Sequence, residues 1–131
     1  MTEKKHDQFE PIELLLVDDE VGFVDVIAKR MSKRNIRVTK ALGGLDAVQT
    51  LRKRDFHVAV LDLKMEDMDG IEVLKIFKKM APELPVIMLT GHGSERAARE
   101  GLEHGAFDYL TKPCEMEDLV QKIKEAVLKG R

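Results

Sequence analysis

The sequence contains few of the features that mark secreted, membrane-spanning or nucleic-acid-binding proteins. It has one cysteine, Cys114, so no disulfide can form within the chain, and we expect the reducing cytoplasm as its compartment. No apolar stretch of signal-peptide type precedes Pro11, and no run approaches the roughly 18 apolar residues that span a bilayer. The net charge is −2 with acidic and basic residues interspersed, so we expect no membrane contact and no direct binding of nucleic acid.

What the sequence does contain is sufficient for one globular domain. Its 131 residues are 44% apolar and 35% charged, which is ordinary for a protein with a single core. We divide the chain into a polar lead-in at 1–11, a domain at 12–128 and a short tail at 129–131. We find no internal repeat and no low-complexity segment.

Short apolar runs alternate along the chain with segments of helical periodicity. Three of the runs are continuously apolar, which is typical of strands buried on both faces of a parallel sheet, and two are weaker. The five predicted strands lie at 13–17, 36–41, 57–63, 84–90 and 106–111. Each strand is followed by apolar residues spaced three or four apart, and this spacing predicts a helix after every strand.

The predicted helices differ in the strength of their apolar pattern. Four have clear stripes, within 24–31, 45–51, 71–77 and 119–127. The fourth helix in chain order, at 94–104, has only a thin stripe, which consists of Ala97, Ala98, Gly101 and Leu102. Glycine-containing pairs precede the second and third helices, and Gly105 follows the fourth, as expected at helix ends.

Five strand–helix units in succession predict a three-layer α/β domain, in which a doubly wound parallel sheet lies between two layers of helices. Ligands of such sheets bind outside the carboxyl ends of the strands. Polar residues occur at these ends: Asp18 and Asp19 after the first strand, Asp62 at the third, Thr90 at the fourth and Lys112 at the fifth. We therefore expect these five side chains along one edge of the sheet.

This combination of side chains favours a magnesium-assisted phosphoryl-transfer site. Crowded carboxylates raise each other's pKa, and a divalent cation relieves the repulsion. Oxygen donors with room for water suit Mg²⁺. A carboxylate such as Asp62 can form an acyl phosphate, with Lys112 and Thr90 supplying charge and a hydrogen bond. Each residue alone has an ordinary explanation, such as helix capping by Asp18 and Asp19, but coincidence at successive strand ends is the weaker explanation.

Four segments of the sequence resemble the receiver domain of two-component response regulators. These segments are LLLVDDE, VAVLDLKMEDMDGIEVL, PVIMLTGHGS and GAFDYLTKP, and the resemblance extends over about 12–128. It implies a flavodoxin-like (βα)5 fold with the strand order 2-1-3-4-5. It also implies one Mg²⁺ ion, a sensor histidine kinase or phosphotransfer protein as the phosphodonor, and a downstream protein target.

The resemblance assigns roles to individual site residues. Asp62 resembles the phosphoacceptor. Asp19 is similar to the direct magnesium ligand and Asp18 to its water-mediated partner. Asp62 and the backbone carbonyl of Lys64 would complete the protein's share of the coordination. Lys112 resembles the lysine that pairs with the phosphoryl oxygens.

The resemblance also implies a conformational switch. Thr90 is similar to the hydroxyl that moves toward the phosphoryl group, and Tyr109 to the aromatic residue that swings inward after it. The peptide bond between Lys112 and Pro113 is expected to be cis. The implied output surface is the fourth helix, fifth strand and fifth helix, through which a homodimer is possible. The domain is expected either to act alone by protein contact or to be one part of a longer regulator.

The chain departs from the family's usual pattern in the loop after Asp62. Glu66 and Asp67 stand where receivers commonly have Pro-Gly or Pro-Asn, and a solvated acidic loop is favoured over extra metal affinity. Lys64 and His92 occupy the two variable positions beside the phosphoryl pocket. Our hypothesis is that Lys64 crowds the attacking water and prolongs the phosphorylated state, whereas His92 is a poor candidate metal ligand because no His or Cys lies at ligand spacing.

Two other classes share part of this pattern. Magnesium-dependent phosphatases and phosphotransferases use the same aspartyl-phosphate chemistry, but normally have an Asp-x-Asp motif at the first strand and a cap domain. Flavodoxins proper are disfavoured because the chain has no tryptophan, one tyrosine and no Ser/Thr-rich phosphate loop. We therefore expect a switch that accepts and slowly loses its own phosphoryl group, not an enzyme that turns over external substrates.

Overall fold

The predicted alternation of strands and helices is confirmed within residues 10–91 and 95–129, which the computed structural model describes. The elements are β1 (Ile12–Val17), α1 (Val21–Ser32), β2 (Ile36–Ala41), α2 (Gly44–Lys53), β3 (Val58–Asp62), α3 (Gly70–Met80), β4 (Val86–Thr90), α4 (Glu95–Glu103), β5 (Asp108–Thr111) and α5 (Met116–Lys129). Most of the predicted lead-in and tail, together with His92, lies outside the described residues. None of the helices in the described ranges is long and apolar enough to cross a membrane.

The five strands form one parallel sheet in the order β2-β1-β3-β4-β5, which confirms the predicted flavodoxin-like topology. The register aligns the carboxyl ends of the strands. Val17 at the end of β1 pairs with Ala41 and Leu61, and Thr90 at the end of β4 pairs with Thr111. The loops that follow the strands therefore start from a common edge, and this edge is where the sequence predicts the site.

Alternating side chains of the central strands fill two apolar clusters, one on each face of the sheet. Leu14 and Leu16 of β1 pack with residues of α1 and α5, whereas Leu15 and Val17 pack with residues of α2 and α3. All four side chains are fully buried. Each such side chain contributes roughly 1.5–3 kcal/mol of transfer free energy, so the central strands form a rigid platform for the loops at their ends.

Three strands, β3, β4 and β5, are shorter in the structure than the sequence predicts. Leu63 and Leu84 are buried, but they lie just outside β3 and β4 and belong to the connecting loops. The apolar pattern reports burial at these positions and not strand pairing. On α4, Ala98 and Gly101 are buried as predicted, whereas Leu102 is 38% exposed, so the packed stripe of this helix is thinner than the sequence indicates.

Candidate functional site

Three carboxylates meet at the carboxyl edge of the sheet. Asp18 directly follows β1, and its backbone N–H donates to the carbonyl of Ala41 at 3.1 Å; Asp62 is the last residue of β3. One oxygen from each of Asp18, Asp19 and Asp62 lies within 4.8 Å of the others. Asp18 is fully buried and Asp62 is 6% exposed. A set of hard oxygen donors at this spacing fits a single Mg²⁺ ion with room for water.

The alternative in which Asp18 and Asp19 cap the following helix is excluded by their contacts. The N-cap residue of α1 is Glu20, and its side chain makes no capping hydrogen bond. Asp18 accepts from the backbone N–H of Glu20 at 2.9 Å, and Asp19 accepts from the backbone N–H of Glu66 at 3.0 Å. These bonds orient both carboxylates toward the strand ends without satisfying the N–H groups of the helix.

Lys112 brings a positive charge into this acidic cluster. Its Nζ atom lies 2.9 Å from Asp18, 3.0 Å from Glu20 and 3.5 Å from Asp62. The backbone N–H of Lys112 donates to the carbonyl of Thr90 at 2.7 Å, which ties the loop after β5 to the end of β4. The bond between Lys112 and Pro113 is cis, as the resemblance implies.

The electrostatics of the site favour an additional cation. Burial, and after it repulsion by Asp18, raise the pKa of Asp62 to about 6, although the charge and hydrogen bond of Lys112 oppose these effects. Burial alone would lower the pKa of Lys112, but hydrogen bonds to Asp18 and Glu20 outweigh burial and raise it. One ammonium group therefore contacts three carboxylates, at 2.9, 3.0 and 3.5 Å.

The two predicted switch residues lie on neighbouring strands. Thr90 is 2% exposed, and its hydroxyl makes a long hydrogen bond of 3.5 Å to the carbonyl of Leu110. Tyr109 is half-buried against the apolar cluster on the α2 and α3 face of the sheet. Lys64 is exposed, and its backbone N–H hydrogen-bonds the Asp62 carboxylate. Since the Thr90 hydroxyl is weakly bonded, little is lost when it turns toward another acceptor.

Three contacts at this edge were not predicted from the sequence. Glu20 shares the Lys112 ammonium, and the ring of Phe23 lies 4.5 Å from the same Nζ atom. Asp67 accepts hydrogen bonds from the N-terminus of α2, so its carboxylate is not simply solvated. The acidic run contains Glu20 and could have indicated it. No sequence signal identifies Phe23 or the contact of Asp67, because both pairings join distant parts of the chain.

Comparison with known sequences identifies the family. A family model described as "Response regulator receiver domain" matches residues 14–124. The chain is 34% identical over 122 residues to the transcriptional regulatory protein ZraR of Klebsiella oxytoca, covering 93% of this chain and 28% of the relative. It is 34% identical over 117 residues to the transcriptional regulatory protein GlrR of Escherichia coli (strain K12), covering 89% and 26%. The chain thus spans little more than a quarter of the length of these relatives.

Solved structures agree with this assignment. The Francisella response regulator 1452 receiver domain superimposes with a TM-score of 0.84 at 30% identity, over 92% of this chain and 99% of that chain. A CheY-like receiver domain protein from Methanospirillum hungatei JF-1 superimposes with a TM-score of 0.88 at 29% identity, over 92% and 97%. The sequence match covers most of the chain and the fold is shared, and the chain therefore belongs to the response regulator receiver domain family of two-component systems.

Proposed function

We propose that Asp62 accepts a phosphoryl group from the phosphohistidine of a sensor histidine kinase or phosphotransfer protein, in a reaction that requires Mg²⁺. The observation that supports this most strongly is the convergence of Asp62 with two other carboxylates, whose oxygens lie within 4.8 Å. The Nζ atom of Lys112 lies 3.5 Å from the Asp62 carboxylate and adds a fixed positive charge. Transfer of a phosphoryl group needs positive charge beside its oxygens, which Lys112 and a cation held by the carboxylates would supply.

The transfer forms one bond and breaks one. An oxygen of the Asp62 carboxylate attacks phosphorus, and the phosphorus–nitrogen bond of the donor histidine breaks. The electron pair leaves with the imidazole nitrogen, which takes up a proton, and the product is an acyl phosphate. Asp62 is positioned for this role because it ends a central strand and is held by the backbone N–H of Lys64.

Asp18, Asp19 and Asp62, with the backbone carbonyl of Lys64, are the groups that would hold the ion. When bound, Mg²⁺ supplies positive charge to the phosphoryl oxygens. Asp18 is kept in place by the N–H of Glu20 and by Lys112, at 2.9 Å each. Lys112 contributes its own charge to the incoming oxygens without needing to enter the site, since it already contacts Asp62.

Phosphorylation then alters the balance of charge at this edge. It adds roughly −1.5 to −2 charge and three acceptor oxygens. The Lys112 ammonium and the Thr90 hydroxyl reorient toward these oxygens, and Tyr109 moves into the space that Thr90 leaves. The output surface is α4, β5 and α5, and the phosphoryl group shifts an existing equilibrium between two conformations of this surface. The same surface is a candidate for homodimer contacts.

The change at the output surface controls the binding of a protein target. The two relatives described above carry names of transcriptional regulators, and we extend this output to the present receiver as part of the proposal. The receiver acts through protein contact and does not touch nucleic acid or membrane itself, in keeping with its net charge of −2. It loses its phosphoryl group slowly and does not turn over external substrates.

Intact-mass spectrometry after incubation with acetyl phosphate tests the proposal. With Mg²⁺ the parent protein is expected to gain one phosphoryl group, and Asp62→Asn none. Chelation of Mg²⁺ should prevent labelling of the parent. Asp25→Asn is a matched control, since Asp25 is an exposed carboxylate on α1 paired with Lys40, and it should label like the parent. Labelling of Asp62→Asn, or steady hydrolysis of a phosphomonoester, would contradict the proposal.

A further inference from the structure

The loop between β3 and α3, residues 63–69, begins directly after Asp62 and is fixed at both ends. The backbone N–H of Leu63 donates to the carbonyl of Leu89 at 3.1 Å, and the N–H of Gly70 donates to the carbonyl of Leu63 at 3.1 Å. Lys64 and Asp69 form an isolated antiparallel bridge. The middle of the loop has no such ladder, so its position depends on contacts with other parts of the domain.

The first of these contacts is with the acidic cluster. The backbone N–H of Glu66 donates to Oδ2 of Asp19 at 3.0 Å. Asp19 contributes an oxygen to the cluster with Asp18 and Asp62. One carboxylate therefore belongs both to the candidate cation site and to the loop, and the position of the loop affects the orientation of Asp19.

The second contact is with the N-terminus of α2. Asp67 Oδ1 accepts from the N–H of Gly44 at 3.0 Å, and Oδ2 accepts from the N–H of Leu45 at 3.1 Å. The N-cap residue of α2 is Gly43, which has no side chain to satisfy these groups. The hydrogen bonds from Gly44 and Leu45 lower the pKa of Asp67, although this carboxylate is at the surface. The cap of α2 thus comes from another loop.

Glycine at two adjacent positions permits this close approach. A Cβ atom on Gly43 would lie 2.9 Å from Oδ2 of Asp67, and one on Gly44 would lie 2.8 Å from Cβ of Met68. The backbone of Gly43 is extended, with φ −177°, which any residue adopts. The requirement at Gly43 is therefore for space, and the Asp67 carboxylate occupies that space.

We propose that Asp67 is a positioning residue for the cation site. By capping α2 from across the domain, it holds the loop where Glu66 bonds Asp19 and where Lys64 lies beside Asp62. The inference rests on the proposed function, in that the ion is taken to bind the carboxylate cluster. Because a loop that must close before an ion binds reduces the apparent affinity, loss of the cap weakens Mg²⁺ binding although Asp67 is not itself a ligand.

The affinity for Mg²⁺ is measured by titration with Mg²⁺ alone, in which the NMR signals of the backbone amides of Asp18 and Asp19 are monitored. Asp67→Ala is expected to weaken Mg²⁺ binding about fivefold, as loss of a helix cap does for a coupled equilibrium. Gly43→Ala retains every carboxylate but displaces the Asp67 side chain, and it should weaken binding in the same direction. Glu66→Gln is the matched charge control: it removes one negative charge from the same loop, keeps the backbone N–H to Asp19, and should change affinity less than about twofold.

Hydrogen exchange at the amides of Gly44 and Leu45 provides a second measurement that does not depend on phosphorylation. Since coupling is reciprocal, Mg²⁺ binding in the parent protein should slow exchange at these two amides. In Asp67→Ala the same amides should exchange quickly with or without Mg²⁺. A purely structural cap would protect Gly44 and Leu45 equally in both conditions in the parent.

The outcomes separate this inference from the proposed function. If the parent binds Mg²⁺ and both Asp67→Ala and Gly43→Ala bind it as tightly, the positioning role is wrong and the proposed function stands. If Glu66→Gln weakens binding as much as Asp67→Ala, charge alone explains the effect and the positioning role is again wrong. If the parent binds no Mg²⁺ at the cluster, the proposed function fails and the inference fails with it.

Discussion

Asp62 combines a buried position with a neighbouring negative charge. Burial, followed by repulsion from Asp18, raises its pKa from 3.8 to about 6, and Lys112 offsets only part of this effect. Because the pKa is higher in the folded protein, Asp62 binds its proton more tightly there than in the unfolded chain. The contribution of Asp62 to the free energy of unfolding is therefore fully present at low pH and is lost as the pH rises toward 6.

We predict that Asp62→Asn, in the absence of divalent cations, is more stable than the parent protein at pH 7. The expected gain is about 2 kcal/mol, since a neutral amide has no charge to bury, and it should shrink toward zero near pH 4. Urea unfolding at the two pH values measures the difference. Asp25→Asn, at an exposed ion pair, should change stability by less than about 1 kcal/mol at both. Equal stability of parent and Asp62→Asn at pH 7 would contradict the raised pKa.

Lys64 is the second residue whose role can be tested by itself. Its side chain is exposed beside the carboxylate that its backbone N–H hydrogen-bonds. We predict that Lys64→Ala loses its phosphoryl group several-fold faster than the parent, because the side chain no longer obstructs the attacking water. The decay of the phosphorylated protein after removal of the phosphodonor measures this rate. Lys75→Ala, at a partly exposed lysine on α3 that is paired with Glu72, should decay like the parent. An unchanged rate in Lys64→Ala would exclude the role.

Among the helices, α4 packs on the sheet through small residues. A Cβ atom on Gly101 would overlap the sulfur of Met88, which is fully buried in β4. The close contact of α4 with β4 therefore depends on the missing side chain. The buried residues of α4 are only Ala98 and Gly101, so fewer apolar contacts hold this helix on the sheet than hold α3 or α5.

We predict that Gly101→Ala destabilises the protein by about 1–3 kcal/mol, because overpacking against Met88 outweighs the better helix propensity of alanine. Gly22→Ala is the matched control: Gly22 lies on the exposed side of α1, and an added Cβ would have nothing within 4 Å. It should stabilise the protein by about 0.5–1 kcal/mol. Urea unfolding of both variants is the measurement, and a stabilising Gly101→Ala would show that α4 is not closely packed.

The elements of the fold were largely predictable from the sequence, for a physical reason. Strands buried on both faces need continuous apolar residues, and helices on a sheet need apolar residues three or four apart, so both leave local patterns. The bounds were less predictable because Leu63 and Leu84 are buried in loops beyond their strands. Apolar character indicates burial, and only backbone pairing determines where a strand ends.

The convergence of the three carboxylates could be predicted, but the contacts that support them could not. Asp18, Asp19 and Asp62 follow or end strands, and topology alone brings strand ends together. The contacts of Lys112 with Phe23 and of Asp67 with α2 join loops that no periodic pattern relates. Such contacts depend on how far each loop extends from the edge of the sheet and in which direction, and no local sequence pattern specifies this.

For the molecule as a whole, the acidic cluster and the end of β4 lie at one edge of a rigid sheet. The chain from Lys112 through its backbone bond to Thr90 links the acidic cluster to the end of β4, and Thr90 lies opposite Thr111 of β5. The central strands are fully buried and cannot deform easily. In the proposed switch, a change at the cluster would therefore reach α4 and α5 at this edge, through Thr90 and the residues of β5.

We predict that this transmission depends on Thr90 and not on its neighbour Thr111. In the parent protein, phosphorylation with acetyl phosphate and Mg²⁺ should shift the NMR signals of Tyr109 and of the α4 backbone. Thr90→Ala should take up label more slowly and, once labelled, show at most a small shift at Tyr109, because no hydroxyl leaves its place. Thr111→Ala, at the exposed partner of Thr90 in the register, should respond like the parent. A full response of Tyr109 in labelled Thr90→Ala would mean that the signal reaches β5 by another route, such as the Lys112 loop.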